Sequence, residues 1–286
     1  MSMTQSGIAC TEAEAVGRVG TLELTYVRQD GRTVLSHSHS RSPWHFVPPI
    51  SLDETSCLYT LLVNPSGGLV GGDRLSVRAA LDEGTHVLFS TPSANRVYRC
   101  RSEAAVQQVE LTVGRGSIAE WIPEPTIPFA GSNFEQTIHV QLGPGATILL
   151  WDAYASGRMA REERWAFHKL QNEIRITTAS GASMVERCHV TAEALRSSLV
   201  RDWNYVAALY LISDGVQGLE QIEERIAETV SSGEGTLGAV SRPAVSGLVV
   251  RLMARSAVDL NGLLESVWGV VREELWGYGV PALRRY

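Results

Sequence analysis

The histidines are the first residues whose types and spacing could do chemistry. "HSHSRSPWH" (37–45) brings His37, His39 and His45 together. On a strand, His-x-His turns both rings to one face, a pattern able to hold a transition metal. No carboxylate ligand stands beside them and no His-Glu-x-x-His occurs, so a polar loop with incidental histidines explains the same residues. Asp73, Glu120, Glu124 and Asp152 are candidate acids, but no spacing pairs them. Gly-x-Ser-x-Gly is absent, and Cys57 and Cys100 fall in or beside strand patterns, as buried thiols do.

"LLVNPSGGLVGGDRLSV" (61–77) carries Gly67, Gly68, Gly71 and Gly72 between two apolar runs. A phosphate loop needs Gly-x-x-x-x-Gly-Lys-Ser/Thr running into a helix. Asp73 stands where the lysine would be and would repel phosphate. The run reads instead as a double turn with glycines at positive φ, opened by Asn64-Pro65. "AEWIPEPTIPFAGS" (119–132) supports two readings. Its prolines suit an edge strand leaving its sheet, or a rigid surface segment that shows Trp121, Ile127 and Phe129 to a partner. "ASGRMAREER" (155–164) reads as a polar connection whose Arg158, Arg161 and Arg164 are solvated or pair with nearby glutamates.

The elements that must position these residues are mostly strands. "TLELTYVRQ" (21–29), "RLSVRAAL" (74–81), "QVELTV" (108–113) and "TIHVQL" (137–142) alternate apolar and polar residues. Period two with one wet face predicts half-buried, antiparallel strands. "CLYTLLV" (57–63), "HVLFS" (86–90) and "TILLW" (147–151) are apolar throughout and suit burial on both faces. Short turns such as Asp82-Glu83-Gly84, Gly114-Arg115-Gly116 and Gly143-Pro144-Gly145 separate them, which excludes βαβ units. No internal repeat stands out. Helical spacing gathers late: Val216, Leu219, Ile222 and Ile226 share one face. Leu260, Leu263, Leu264, Val267, Trp268, Val271 and Leu275 form a continuous stripe, with Ser256 or Asp259 to cap it and Gly277 to close it. A second helix is expected over 246–257 and a loop over 233–247.

The 286 residues are 44% apolar with a formal charge of −6. That composition supports a real core and disfavours nucleic acid or an anionic membrane as partner. The four scattered cysteines fit a reducing compartment. No signal-peptide core and no membrane-length apolar run is present, which points to the cytoplasm. The expected fold is mainly β: stacked antiparallel or mixed sheets of many short strands, with a few, mostly C-terminal, α-helices. Residues 1–18 read as a flexible arm and 19–286 as one domain.

Five ordered blocks resemble the urease accessory protein family UreD, also called UreH. They are "NPSGGLVGGDRL" (64–75), "STPSANRVYR" (90–99) with Arg96 and Tyr98, "AEWIPEPTIPFAGS" with Glu120 and Trp121, "WDAYASGRMAREERWAF" (151–167) with Arg158, and "GAVSRPAVSGLVVRLMARSA" (238–257). The likeness spans about residues 20–286, and Pro125 departs from the more polar residue expected there. It implies a non-catalytic scaffold that joins UreF and the GTPase UreG and delivers nickel to apo-urease through internal channels. No tightly bound cofactor is implied, only transient nickel(II). Asp73, His37, His39 and His45 are candidates for its path. Gly67, Gly68, Gly71, Gly72, Arg96, Tyr98, Glu120, Trp121 and Arg158 are candidates for scaffold or partner roles. The rival class is a β-rich metal-dependent hydrolase, with a metal at His37, His39 and His45.

Overall fold

The computed structural model describes residues 18–52, 55–100, 103–196, 198–213, 215–231 and 235–283. The expected arm at 1–18 lies, apart from Arg18, outside the described residues. Strands fill the first two thirds: β1 (Val19–Gln29), β2 (Arg32–Arg41), β3 (Ile50–Ser51), β4 (Cys57–Leu61), β5 (Arg74–Leu81), β6 (His86–Ser90) and β7 (Asn95–Val97). There follow β8 (Ala105–Val113), β9 (Ile118–Trp121), β10 (Thr126–Pro128), β11 (Asn133–Leu142), β12 (Thr147–Ala155), β13 (Lys169–Thr177) and β14 (Ser183–Thr191). Then come α1 (Ala192–Arg196), β15 (Tyr205–Ser213), α2 (Leu219–Ser231), β16 (Thr236–Ser241), β17 (Gly247–Ala254) and α3 (Ala257–Trp276).

Two sheets face one another. The first has the order β14-β13-β11-β8-β5-β1-β2 and the second β16-β17-β15-β12-β9-β6-β4-β3, with β10 and β7 attached beside β12. From β4 to β13 the chain deals strands alternately to the two sheets. Each return to a sheet therefore runs in the same direction as the last. β5, β8, β11 and β13 pair in parallel in the first sheet, as do β4, β6, β9 and β12 in the second. This corrects the antiparallel direction expected for β5, β8 and β11. Periodicity reports which face is wet, not which way the neighbour runs. β8 buries Val109, Leu111 and Val113 and exposes Glu110 and Thr112 within a parallel sheet.

The crossings at one end are short and stacked. Gly84 N–H donates to the Arg115 carbonyl at 2.9 Å, and Gly116 N–H to the Pro144 carbonyl at 3.0 Å. The segments 81–85, 113–117 and 142–146 are equivalent rungs, so the expectation of no repeat is corrected: the repeat lies in the geometry and in the glycine of each turn. At the other end the connections 62–73, 91–104, 122–132 and 156–168 are long.

The second sheet is covered on both faces, which is why β6 and β12 are buried at every position. Leu150 and Tyr154 of β12 point into the core between the sheets. Leu149, Trp151 and Ala153 point into a second core beneath α2 and α3. Ser256 caps α3, its hydroxyl accepting from Asp259 N–H, and Gly277 closes it in the left-handed region. Two expectations are overturned nearby. The segment expected as a helix over 246–257 is β17, and the expected loop at 233–247 contains β16, paired with β17. An apolar run covered on both faces has no period of its own to separate strand from helix.

Candidate functional site

The long connections carry the sequence blocks singled out above, and the fold stacks them. Leu69 N–H donates to the Arg96 carbonyl (2.7 Å), and Tyr98 N–H to the Leu69 carbonyl (2.8 Å). Phe129 N–H donates to the Val97 carbonyl (2.9 Å), and Gly131 N–H to the Ala166 carbonyl (2.8 Å). Side chains tie the same rungs. The Tyr98 ring meets Phe129 edge-on at 5.1 Å, and the Arg158 guanidinium lies 4.2 Å over Phe129. Arg158 pairs with Glu163, whose carboxylate also accepts from Ala130 N–H at 3.2 Å. That pairing holds the Glu163 carboxyl below its usual range.

The glycine turn is built for close approach. Gly68 has φ +147°, and a Cβ there would lie 2.4 Å from the Arg96 carbonyl oxygen. Tyr98 donates its hydroxyl to the Gly67 carbonyl at 3.1 Å. Asp73 is buried and pins the turn: Val70 N–H donates to its carboxylate at 2.9 Å, while Asp73 N–H donates to the Val70 carbonyl at 3.1 Å.

A cavity opens beside this turn, near Gly68 and Asn95, and descends between the sheets past Trp121 to Gln136 and Asp152. A second, apolar-walled cavity is lined by Glu186, Cys188, Asn172, Tyr154 and the same Asp152. Asp152 thus lines both. Its carboxylate accepts from Gln136 at 3.0 Å and from Asn172 at 2.7 Å, and Gln136 also donates to the Tyr154 hydroxyl at 3.1 Å. Burial pushes the Asp152 carboxyl from 3.8 up to about 6, although the hydrogen bonds from Gln136, Tyr154 and Asn172 pull it down. Burial, joined by the Asp152 charge, raises the Tyr154 phenol well above its ordinary value. Burial raises the Cys188 thiol too, with Glu186 and Asp152 adding to it. Amide, carboxylate, phenol and thiol groups therefore line the two cavities that share Asp152.

Glu120 lies on the other face of the same sheet. Strand alternation sends its neighbour Trp121 toward the first sheet, 5.7 Å from Phe89, and sends Glu120 toward α3. Glu120 has no exposure, and its carboxylate accepts from His86 Nε2 (2.6 Å), Arg272 Nη1 (2.9 Å) and the Trp268 indole. Cys57 Sγ is 4.0 Å from Glu120 Oε1, the oxygen that His86 contacts. Among the described residues, Cys57, His86 and Glu120 are the only set of three or more His, Cys, Asp or Glu whose ligand atoms all lie within 4.8 Å of one another.

His37, His39 and His45 do not converge. His37 and His39 sit on the edge strand β2 with exposed side chains, away from the core between the sheets. His39 belongs to a register row across the outer face: His39, Glu23, Arg78, Glu110, His139, Arg175. Such alternating charges suit a solvated face. Both readings of 119–132 need correction. β9 is central, between β6 and β12, because the prolines follow the strand rather than occupy it. Trp121 and Phe129 are buried and Ile127 is half-buried, so none is displayed to a partner. Arg96 is exposed at the cavity mouth. The sequence reading missed Gln136, Asn172, His86 and Arg272. Arg272 left a signal: it follows Leu264 and Trp268 at steps of four, a charge on an apolar stripe.

The family model described as "UreD urease accessory protein" matches residues 18–285. Among curated relatives, a protein of Sorangium cellulosum named urease accessory protein UreD is 32% identical over 274 residues, covering 92% of this chain and 84% of its own length. One from Mycolicibacterium gilvum with the same name is 30% identical, covering 86% and 90% of the two chains. One from Haloarcula marismortui, again so named, is 27% identical, covering 94% and 91%. The relatives are named as accessory proteins rather than as enzymes.

Proposed function

The chain belongs to the UreD urease accessory protein family, and from that premise we propose that it is a non-catalytic scaffold and chaperone that, with UreF and UreG, conveys nickel(II) to apo-urease in the cytoplasm. The observation that carries this reading is Asp152, a buried carboxyl that lines two separate cavities. An ionisable group buried without a cationic partner is costly unless it has a use.

The path suits an ion in transit. Its donors are amide and carboxylate oxygens, with one thiol at the far edge. Such ligands hold a divalent ion weakly when scattered, and a weakly held ion moves on. A cation arriving beside Asp152 favours the ionised carboxylate and so offsets the burial that disfavours its charge. The stacked long connections hold the mouth beside the glycine turn in shape, with Asp73 bracing that turn. No helix among the described residues is long and apolar enough to cross a membrane.

Reconstitution tests the reading. Apo-urease, UreF, UreG and nickel(II) are combined with the wild-type chain or with Asp152→Ala. The variant should fold and still co-purify with UreF, yet activate urease at least roughly tenfold more slowly, a loss of about 1.4 kcal/mol in the limiting step. Full activation by Asp152→Ala would end the proposal.

A further inference from the structure

The cluster under α3 has the composition of a transition-metal site and the wiring of a closed one. Cys57 Sγ, His86 Nε2 and a Glu120 oxygen lie within 4.8 Å of one another, and all three residues are buried. Thiolate, imidazole and carboxylate are the ligand types of three-ligand zinc sites. A cation is already present, however. Arg272 donates Nη1 to both oxygens of Glu120, at 2.9 and 3.2 Å, with no solvent exposure. Its Nε and Nη2 are buried without any hydrogen-bond partner. A guanidinium that leaves buried donors unsatisfied is poorly explained by hydrogen bonding. Its charge and its position are what the cluster uses.

We infer that Cys57, His86 and Glu120 form a latent transition-metal site and that Arg272 is the resident cation that keeps it shut. The charges decide this. A divalent ion held by a Cys57 thiolate, a neutral His86 imidazole and the Glu120 carboxylate sums to zero. With Arg272 in place the same assembly carries one uncompensated positive charge beneath an apolar helix, which is strongly disfavoured. Loading breaks the Cys57 S–H bond and sends that proton to solvent. The imidazole proton moves from Nε2 to Nδ1, freeing the Nε2 lone pair for the metal, whose oxidation state does not change. Arg272 cannot withdraw alone, because Trp268 and Val271 of the same helix are fully buried. The consequence is that a chain handling a divalent cargo does not trap it in its own core. This inference is independent of the Asp152 path, which lies on the opposite face of the sheet.

The test is a gain of function. Arg272→Met removes the charge and keeps much of the volume. Its melting temperature should rise on the order of 5 °C or more with excess zinc(II), as binding to the folded state alone requires. Cobalt(II) should give a thiolate charge-transfer band. Wild type should show neither effect, and Cys57→Ser in the Arg272→Met background should abolish both. Should Arg272→Met fail to fold alone, it is refolded with and without zinc(II), and recovery only with metal supports the inference. Cys57-dependent zinc binding by wild type as tight as by the variant would overturn it. So would an Arg272→Met protein that gains no Cys57-dependent binding, or that zinc(II) does not rescue.

Discussion

Glu120 on β9 and Arg272 on α3 are 152 positions apart in sequence, yet their side chains meet at 2.9 Å with no exposure on either side. The pair bolts the last helix to the second sheet. Removing one partner strands the other charge in the core. Glu120→Ala should therefore cost about 3–5 kcal/mol of unfolding free energy. Replacing both, as Glu120→Gln with Arg272→Met, should cost less than the sum of the two single changes. Urea denaturation of wild type, Glu120→Gln, Arg272→Met and the double variant measures the coupling, and strict additivity would mean that the pair does not act as a unit.

Asp152 makes stability depend on pH in a defined direction. Its carboxyl ionises near 3.8 in the unfolded chain and is pushed up to about 6 in the folded one. The folded state thus holds the proton more tightly. The contribution is fully present below about pH 4 and is lost as pH rises through 6. Relative to Asp152→Asn, wild type should lose about 2 kcal/mol between pH 4 and pH 7. Parallel stability–pH curves for the two proteins would contradict this.

Asp73 separates a bracing role from an ionic one. Asp73→Asn keeps an oxygen to accept from Val70 N–H, whereas Asp73→Ala leaves that donor unpaired at a cost of about 1–2 kcal/mol. In the urease activation assay the asparagine variant should stay close to wild type and the alanine variant should fall. Equal loss in both would make the charge, not the turn, the relevant property.

Gly68 admits no side chain. Gly68→Ala puts a methyl group 2.4 Å from the Arg96 carbonyl at a φ of +147°. A cost of about 1–3 kcal/mol is expected. For a chain of this size that lowers the melting temperature by roughly 2–10 °C. Gly116→Ala, where nothing lies within 4 Å of the added Cβ, should cost less. Thermal scans of both variants make the comparison.

Much of the architecture is legible because burial is one-sided. The alternation in β1, β5, β8 and β11 marks the inner face of the first sheet residue by residue. α3 is legible from its stripe, Ser256 and Gly277. Where a segment is covered on both faces the signal disappears, which is how β17 comes to read as a helix. The candidate site divides in the same way. The glycine turn with Asp73 is written locally and can be read. The meeting of Gln136, Asp152 and Asn172 depends on which strands become neighbours, and no local spacing encodes that. His86 and Arg272 join Glu120 only once β6 and β9 pair and α3 lies across them.

The stacked short turns after β5, β8 and β11 carry a consequence for how such a chain varies. Each winding of the backbone adds one strand to each layer and hands its open hydrogen bonds to the next winding. A whole winding is thus an interchangeable unit, and length changes confined to the long connections leave the stack intact. Divergence among homologous chains should therefore fall in those connections or come as complete windings, while the row of small turn residues keeps the spacing of the layers.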